Sequence, residues 1–427
     1  MSKVDHSELL RALYARGHRG IELGLGRVTA AAHTLGDPQA TFSALHVAGT
    51  NGKGSTCAML EGIARAGGLR VGLYTSPHLA RLAERIRIDG EPVDDARLDH
   101  ALARVLSDAP PELTFFETLT LAAFVVFHEA KLDVVVLEVG LGGRLDATNL
   151  VEAPLATGIT SITVGEGGRD LEHEALLGST TAAIAREKAG IAKRGRPLVV
   201  GPVRDDARDA IFEVARERGA DPIWTCAGDA RETATMPDGS VVRLAPKLAG
   251  PHQRANAEVA AAMATHAAPV LGLSKETIER GIANAAWPGR MEEIEVDGRR
   301  VILDCAHNID GARALVEALA AQGHEPASSV LVFGALADKG FAPMLRVLAP
   351  LANRRVYTCP SGRAPASPDA LSAVAQGEAE PEPARAIHRA IAMAERGETV
   401  LVCGSIYLVG AIRAELLGMP TDPVIAL

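Results

Sequence analysis

The chain has 427 residues, 47% of them hydrophobic and 23% charged, which is long enough for two or three domains with large cores and argues against disorder. The formal net charge of −9 disfavours a nucleic-acid partner, because phosphate backbones reward basic surfaces. There is no apolar run of about 18 residues and no signal-like start, so no membrane span is expected and a cytoplasmic protein is.

Short β-rich runs alternate with helical stretches, the pattern of a parallel α/β sheet. Phe42 to Ala48 reads as a strand, Lys53 to Ala66 as a helix closed by Gly67-Gly68, and Leu69 to Tyr74 as the next strand. Leu119 to Ala130 reads as a helix. Val134 to Val139 is a continuous apolar run that suits a strand buried on both faces. Leu155 to Ile162 and Pro197 to Val200 read as strands around a helix near Gly178 to Lys193. Met236 to Leu244 reads as a hairpin, and Gln253 to His266 and Lys275 to Ala286 as helices.

Trp287-Pro288-Gly289 breaks any helix and marks a boundary. Beyond it the alternation restarts. Met291 to Val296 and Arg300 to Cys305 flank the turn signal Asp297-Gly298, and strands follow at Val330 to Gly334, Arg355 to Thr358 and Val400 to Cys403. Two α/β domains are expected, 1–287 and 288–427, with a ligand cleft between them. The five cysteines are scattered without zinc-like spacing and read as small core residues.

Gly49-Thr50-Asn51-Gly52-Lys53-Gly54-Ser55 lies between a strand and a helix. Backbone N–H groups at such a junction favour anions, and Lys53 adds a cation for nucleotide phosphates. The strict pattern G-x-x-x-x-G-K-[ST] fails twice, at Val47 and at Gly54. A glycine-rich turn with a surface lysine is the plain alternative. Glu138 closes the buried strand at its carboxyl end, the ligand-binding edge of a parallel sheet. A carboxylate there needs compensation, which Mg²⁺ on the phosphates would supply. Spacing alone gives His173 no role beyond a structural one and makes Lys188 a surface charge.

Several stretches together resemble one family. They read GTNGKGS from Gly49, YTSPHL from Tyr74 followed by Glu84-Arg85-Ile86-Arg87, LEVGLGGRLDATN from Leu137, IAREKAGI from Ile184 and HQRANA from His252. WPGRM from Trp287, DCAHNIDG from Asp304, FGALADKG from Phe333 and GSIYLVG from Gly404 complete the set. The chain thereby resembles the folylpolyglutamate synthase and dihydrofolate synthase family of the Mur ligase superfamily, along nearly its whole length.

The resemblance implies a P-loop ATPase domain of the Mur-ligase central type followed by a smaller Rossmann-like domain. It implies an ATP-dependent carboxylate–amine ligase that joins L-glutamate to dihydropteroate and to folate tails through an acyl phosphate. Gly52, Lys53, Gly54 and Ser55 are then expected to bind the ATP phosphates, with Asn256, Arg290 and Asp304 also contacting ATP. Ser76, Glu138 and His173 match Mg²⁺ positions, and Lys188 matches a lysine that becomes carbamylated and orients a second metal. Lys188, His173 and Glu138 are thus the catalytic candidates. His307 and Ser405 match positions near incoming glutamate.

For dihydropteroate or a reduced folate, the resemblance points to Ile21, Glu22 and Leu23, to Thr114, Phe115, Phe116 and Glu117, and to Leu145, Asp146 and Ala147. A monomer is expected. One departure stands out. Thr163 to Asp170 is inserted before Leu171-Glu172-His173, where the family runs directly into Asp-His. The insertion is expected to act as a flap.

Bifunctional activity is favoured over tail extension alone by Ile21-Glu22-Leu23-Gly24-Leu25 and Glu84-Arg85-Ile86-Arg87. A peptidoglycan-precursor ligase is disfavoured, because only a short leader precedes the first strand. A non-ligase P-loop ATPase is disfavoured by the motifs of the second domain.

Overall fold

Two sheets organise the computed structural model, which describes residues 5–422 apart from 21, 23, 164–176, 229–230, 339 and 363. The first sheet contains β1 (Ala44–Ala48), β2 (Val71–Tyr74), β3 (Ile86–Ile88), β4 (Glu91–Pro92), β5 (Val134–Glu138), β6 (Ala156–Ile159), β7 (Leu198–Val200) and β8 (Ile223–Thr225). Their order is β4-β3-β2-β5-β1-β6-β7-β8. The pairings from β2 across to β8 are parallel, and β3 and β4 add antiparallel at one edge.

The apolar run predicted for β5 is explained by its neighbours. It lies between β2 and β1, and all five of its residues are buried. Val135 and Leu137 face the core built on the helix Phe115–Ala130. Val134 and Val136 face the core built on the helices Lys53–Ala66, Pro251–Leu271 and Lys275–Asn284. The period-two alternation of a strand thus feeds two cores at once. The hairpin expected at Met236 to Leu244 is present as β9 (Thr233–Thr235) and β10 (Val241–Arg243), with Met236 already in the turn.

The second sheet contains β11 (Glu292–Val296), β12 (Arg299–Leu303), β13 (Ser329–Phe333), β14 (Arg354–Tyr357), β15 (Glu378–Ala379) and β16 (Thr399–Cys403). The order is β11-β12-β16-β13-β14-β15, with only β11 antiparallel. Leu331 and Phe333 point to one core, Val330 and Val332 to the other. The helix expected over Lys275 to Ala286 spans Lys275–Asn284, and Trp287-Pro288-Gly289 lies between it and β11.

The two units meet closely. A Cβ at Gly410, in the helix Ile406–Leu417, would lie 2.0 Å from the Leu79 carbonyl oxygen. Near the chain end, the Asp422 N–H donates to the Ala80 carbonyl at 3.1 Å, and its carboxylate accepts from the Leu82 N–H at 2.6 Å.

Candidate active site

The carboxyl ends of both sheets face one cleft of about 990 Å³. From the first sheet it is lined by Gly49 to Ser55 after β1, by Ser76 after β2, by Glu138 at the end of β5 and by Thr160 after β6. From the second it is lined by Asp304 to Asn308 after β12, Leu336 after β13 and Ser405 after β16. Strand ends in parallel sheets leave such crevices because connecting helices diverge around them.

The loop after β1 is shaped by two glycines. Gly52 has φ +87 and caps the helix Lys53–Ala66; a Cβ there would lie 2.2 Å from Asn256 Oδ1. A Cβ at Gly49, φ +155, would lie 1.9 Å from Thr160 Oγ1. The loop is tied to the end of β6. The Thr50 N–H donates to the Ser161 carbonyl at 2.7 Å, and the Asn51 carbonyl accepts from Thr160 Oγ1 at 2.6 Å and Ser161 Oγ at 3.0 Å. Lys53 Nζ donates to the Gly49 and Thr50 carbonyls at 3.2 and 3.3 Å, so the ammonium sits over the loop. Gly54 abuts Trp287, and Ser55 is buried in the first helical turn.

Glu138 is buried, with Oε1 4.0 Å from Lys53 Nζ and Oε2 accepting from the Ser76 N–H at 3.1 Å. Burial pushes its pKa up, and Lys53, the Ser76 N–H and Arg290 only partly oppose that. Such a carboxylate suits a hard cation, and the Ser76 hydroxyl adds an oxygen donor beside it. Among the described residues no three His, Cys, Asp or Glu side chains gather in one place. A cation here would therefore draw on Glu138, Ser76 and ligand phosphates.

Lys188 is not a surface residue. It is 6% exposed, and its Nζ donates to the Gly49 carbonyl at 2.8 Å. Burial, then the nearby Lys53 charge, lowers its pKa to about 7. At neutral pH a substantial fraction of this amine is unprotonated and nucleophilic.

Across the cleft, Asp304 accepts from the Met291 N–H at 3.0 Å and the Ala306 N–H at 2.9 Å. Burial raises its pKa, and Arg290 opposes the rise. Asn256 Nδ2 donates to Gln253 Oε1 at 3.0 Å, which leaves Asn256 Oδ1 beside Gly52. His307 lines the cleft with its Nδ1 2.9 Å from the Cys305 carbonyl, and Ser405 caps the helix Ile406–Leu417. Asn308 makes a contact that sequence reading did not assign. Its Nδ2 donates to Asn51 Oδ1 at 3.0 Å, joining the second sheet to the phosphate loop.

Among the described residues, the pterin candidates do not line this cleft. Thr114 and Glu117 form a capping box that starts the helix Phe115–Ala130 earlier than the predicted Leu119. Arg27 bridges Glu22 and Glu117 at 2.9 and 3.1 Å. Phe116 packs on Gly140, a cleft residue, and Asp146 accepts from the N–H of Leu141, another cleft residue, at 2.9 Å. Asp146 also caps the turn Ala147–Leu150, beside half-buried Leu145. Phe115 stacks on Tyr14, with centroids 5.3 Å apart. Ile21, Leu23, His173 and the insertion beyond Thr163 lie outside the described residues.

A phosphate loop, a buried strand-end carboxylate and a second α/β unit closing over both define a Mur-type, ATP-dependent ligase. The model of the Mur ligase glutamate ligase domain matches residues 289–406. The chain is 37% identical over 403 residues to a dihydrofolate synthase/folylpolyglutamate synthase of Escherichia coli, covering 92% of this chain and 91% of that one. It is 34% identical over 432 residues to the Bacillus subtilis protein of the same name, covering 95% and 97%. It spans 50% of a Haloferax volcanii relative that is 34% identical over 437 residues.

Among solved structures, a Yersinia pestis bifunctional folylpolyglutamate synthase/dihydrofolate synthase complexed with AMPPNP and Mn superposes with a TM-score of 0.83. The two are 34% identical, and the match covers 97% of this chain and 98% of that one. The Escherichia coli enzyme in complex with DHPP and ADP gives a TM-score of 0.80 at 33% identity, covering 97% and 98%. The chain belongs to the dihydrofolate synthase/folylpolyglutamate synthase family.

Proposed function

We propose that this enzyme uses ATP to add L-glutamate to dihydropteroate, forming dihydrofolate, and then to the glutamate tail of folates. The observation that carries the reading is the convergence of Lys53, Glu138, Lys188, Arg290 and Asp304 on one cleft between the two sheets. Bound ligands named for similar structures are AMPPNP, Mn, L-glutamate, DHPP and ADP. Residues 1–287 and 288–427 are taken as the two domains, which agrees with the division of strands between the sheets. A monomer working in the cytoplasm fits this reading.

The chemistry follows from the weakness of a carboxylate as an acylating agent. An oxygen of the substrate carboxylate attacks the γ-phosphorus of ATP, ADP leaves, and an acyl phosphate forms. The glutamate amine attacks the acyl carbon, and phosphate departs with the bonding pair. The amine proton is lost to a nearby base or solvent. Gly52, Lys53, Gly54 and Ser55 hold the phosphates with backbone N–H groups and one cation. Asn256, beside the loop, and Arg290 and Asp304, from the opposite wall, bind the nucleotide.

Ser76 and Glu138 would hold Mg²⁺, with His173 as the sequence-derived third ligand; the ion supplies charge neutralisation on the transferring phosphoryl group. Lys188 in its neutral form can attack CO₂, lose a proton and become a carbamate, which converts a buried amine into a carboxylate facing the same space. In this reading His307 and Ser405 receive glutamate, and Thr114 to Glu117 with Leu145 to Ala147 serve the pterin side.

Phosphate release measured with dihydropteroate, with tetrahydrofolate and with varied amino acids tests the proposal. Turnover must require glutamate and a pterin acid together. Release with preformed tetrahydrofolate but none with dihydropteroate would reduce the activity to tail extension.

A further inference from the structure

Arg85 carries a charge that the reaction above does not use. It ends the turn Leu82–Arg85 and leads into β3. The residue is 5% exposed. Its Nε–H donates to His78 Nδ1 at 2.9 Å, and its guanidinium lies 5.2 Å from the centroid of the Phe115 ring. Among the described residues no carboxylate pairs with it, and its terminal nitrogens take no hydrogen-bond partner. A better-matched arginine is Arg413, which meets both oxygens of Glu292 at 2.9 Å. A buried guanidinium without a carboxylate is costly, and one aromatic face offsets only part of that cost.

The bond to Arg85 also fixes its neighbour. Since His78 Nδ1 accepts, the ring proton of the neutral imidazole resides on Nε2. His78 lines the cleft together with Tyr407, whose N–H donates to Ser405 Oγ at 3.2 Å. The phosphate loop follows β1, whereas His78 and Arg85 follow β2, with β5 between those strands. The Arg85 charge is felt by Glu138 and by Tyr407, so it lies between the strand-end carboxylate of β5 and the turn where glutamate is proposed to sit.

We infer that Arg85 and His78 form a carboxylate-recognition element for the glutamyl substrate. His78 donates its Nε2–H to a carboxylate oxygen, and Arg85 is a positioning residue that fixes the ring and supplies the positive field. The inference rests on the glutamate-ligase reading. The carboxylate belongs either to free glutamate or to the glutamate already on a folate, and kinetics separate these sources.

Phosphate release is measured for wild type, His78→Ala, His78→Gln and Arg85→Gln, with dihydropteroate and with tetrahydrofolate as acceptors. The alanine and Arg85→Gln variants raise the KM for the glutamyl ligand about tenfold or more and leave the KM for ATP within about twofold. His78→Gln, which keeps an N–H donor, recovers part of the loss. If free glutamate is held, its KM rises with both acceptors; if the tail is held, the KM rises for tetrahydrofolate and not for dihydropteroate. Unchanged KM values for glutamate and tetrahydrofolate, or a rise confined to ATP, would overturn the assignment.

Nitrogen-15 NMR of the wild-type imidazoles, with His78→Ala for assignment, provides a readout that survives if Arg85→Gln does not fold. A proton on Nε2 and a bare Nδ1 are expected at His78, and a proton on Nδ1 overturns the inference. Wild-type enzyme without glutamate-dependent phosphate release would instead bring down the ligase reading, and this assignment with it.

Discussion

Lys188 Nζ donates to the carbonyl of Gly49 at 2.8 Å, which places a buried amine directly against the phosphate loop. The contact couples two sites: any change in the charge of Lys188 is felt by the loop that holds ATP, and Lys53 on that loop in turn lowers the Lys188 pKa. Carbamylation would replace this cation with an anion and leave Nζ a single N–H to share with Gly49.

Lys188→Ala is expected to stay folded and lose nearly all turnover, with partial rescue by short carboxylic acids. Incubation with ¹³C-bicarbonate should give a carbamate signal in wild type that the variant lacks. Stability gives an independent check. The folded pKa of about 7 lies below the ordinary 10.5, so between these values the unfolded chain binds more protons and stability rises with pH. The Lys188→Ala variant should lack that rise in chemical-denaturation measurements from pH 7 to 10. Normal turnover in the variant would remove the carbamate proposal.

Glu138→Gln should cut metal-dependent turnover by about a hundredfold or more, as expected when a charge that organises phosphoryl transfer is lost. Its effect on stability has the opposite sign. Burial raises the Glu138 pKa above 4.5, so the folded state holds the proton longer and wild-type stability falls as pH rises through that window. The glutamine variant should therefore melt higher than wild type at neutral pH, with the two converging below about pH 4. A rate within about twofold of wild type would contradict a ligand role.

How much of this site could be read in advance depended on how local its cause was. The helix Lys53–Ala66 and its phosphate loop were legible because a glycine turn, a lysine and a helical period are adjacent in the chain. Glu138 was legible because it breaks an apolar run at a strand end. Lys188 was not legible from spacing: Arg186 and Glu187 beside it pair outward with Glu213 and Arg144, and only tertiary packing turns Lys188 inward. The strands β3, β4 and β8 at the margins of the first sheet are too short to give a period. Thr114 and Glu117, three residues apart, carry a capping-box signature, and the helix begins at Phe115.

Gly52→Ala should weaken ATP binding more than folding. The backbone at φ +87 costs a side chain about 1–2 kcal/mol, and the added methyl would meet Asn256 Oδ1 at 2.2 Å. Relief requires either the loop or Asn256 to move, and both are proposed to contact ATP. A raised KM for ATP with a small drop in melting temperature is expected; an unchanged KM would show that the loop tolerates the displacement.

Asn308 separates a structural from a functional contribution within one side chain. Its Oδ1 accepts from the Gly311 N–H at 2.8 Å and caps the helix Ile309–Ala321, while its Nδ2 donates to Asn51 Oδ1 at 3.0 Å across the cleft. Asn308→Ala removes both contacts and should cost about 1 kcal/mol in lost capping alone. Asn308→Asp keeps the cap, because aspartate serves equally well at a helix N-terminus, yet it sets a carboxylate oxygen against the Asn51 carbonyl oxygen. The aspartate variant should therefore melt close to wild type while turnover falls, since the second sheet loses its hydrogen bond to the phosphate loop. Melting curves and steady-state kinetics on both variants decide the matter. If Asn308→Asp keeps full turnover, the bond to Asn51 is incidental; if both variants melt low, the cap dominates and the cross-cleft contact has no separate role.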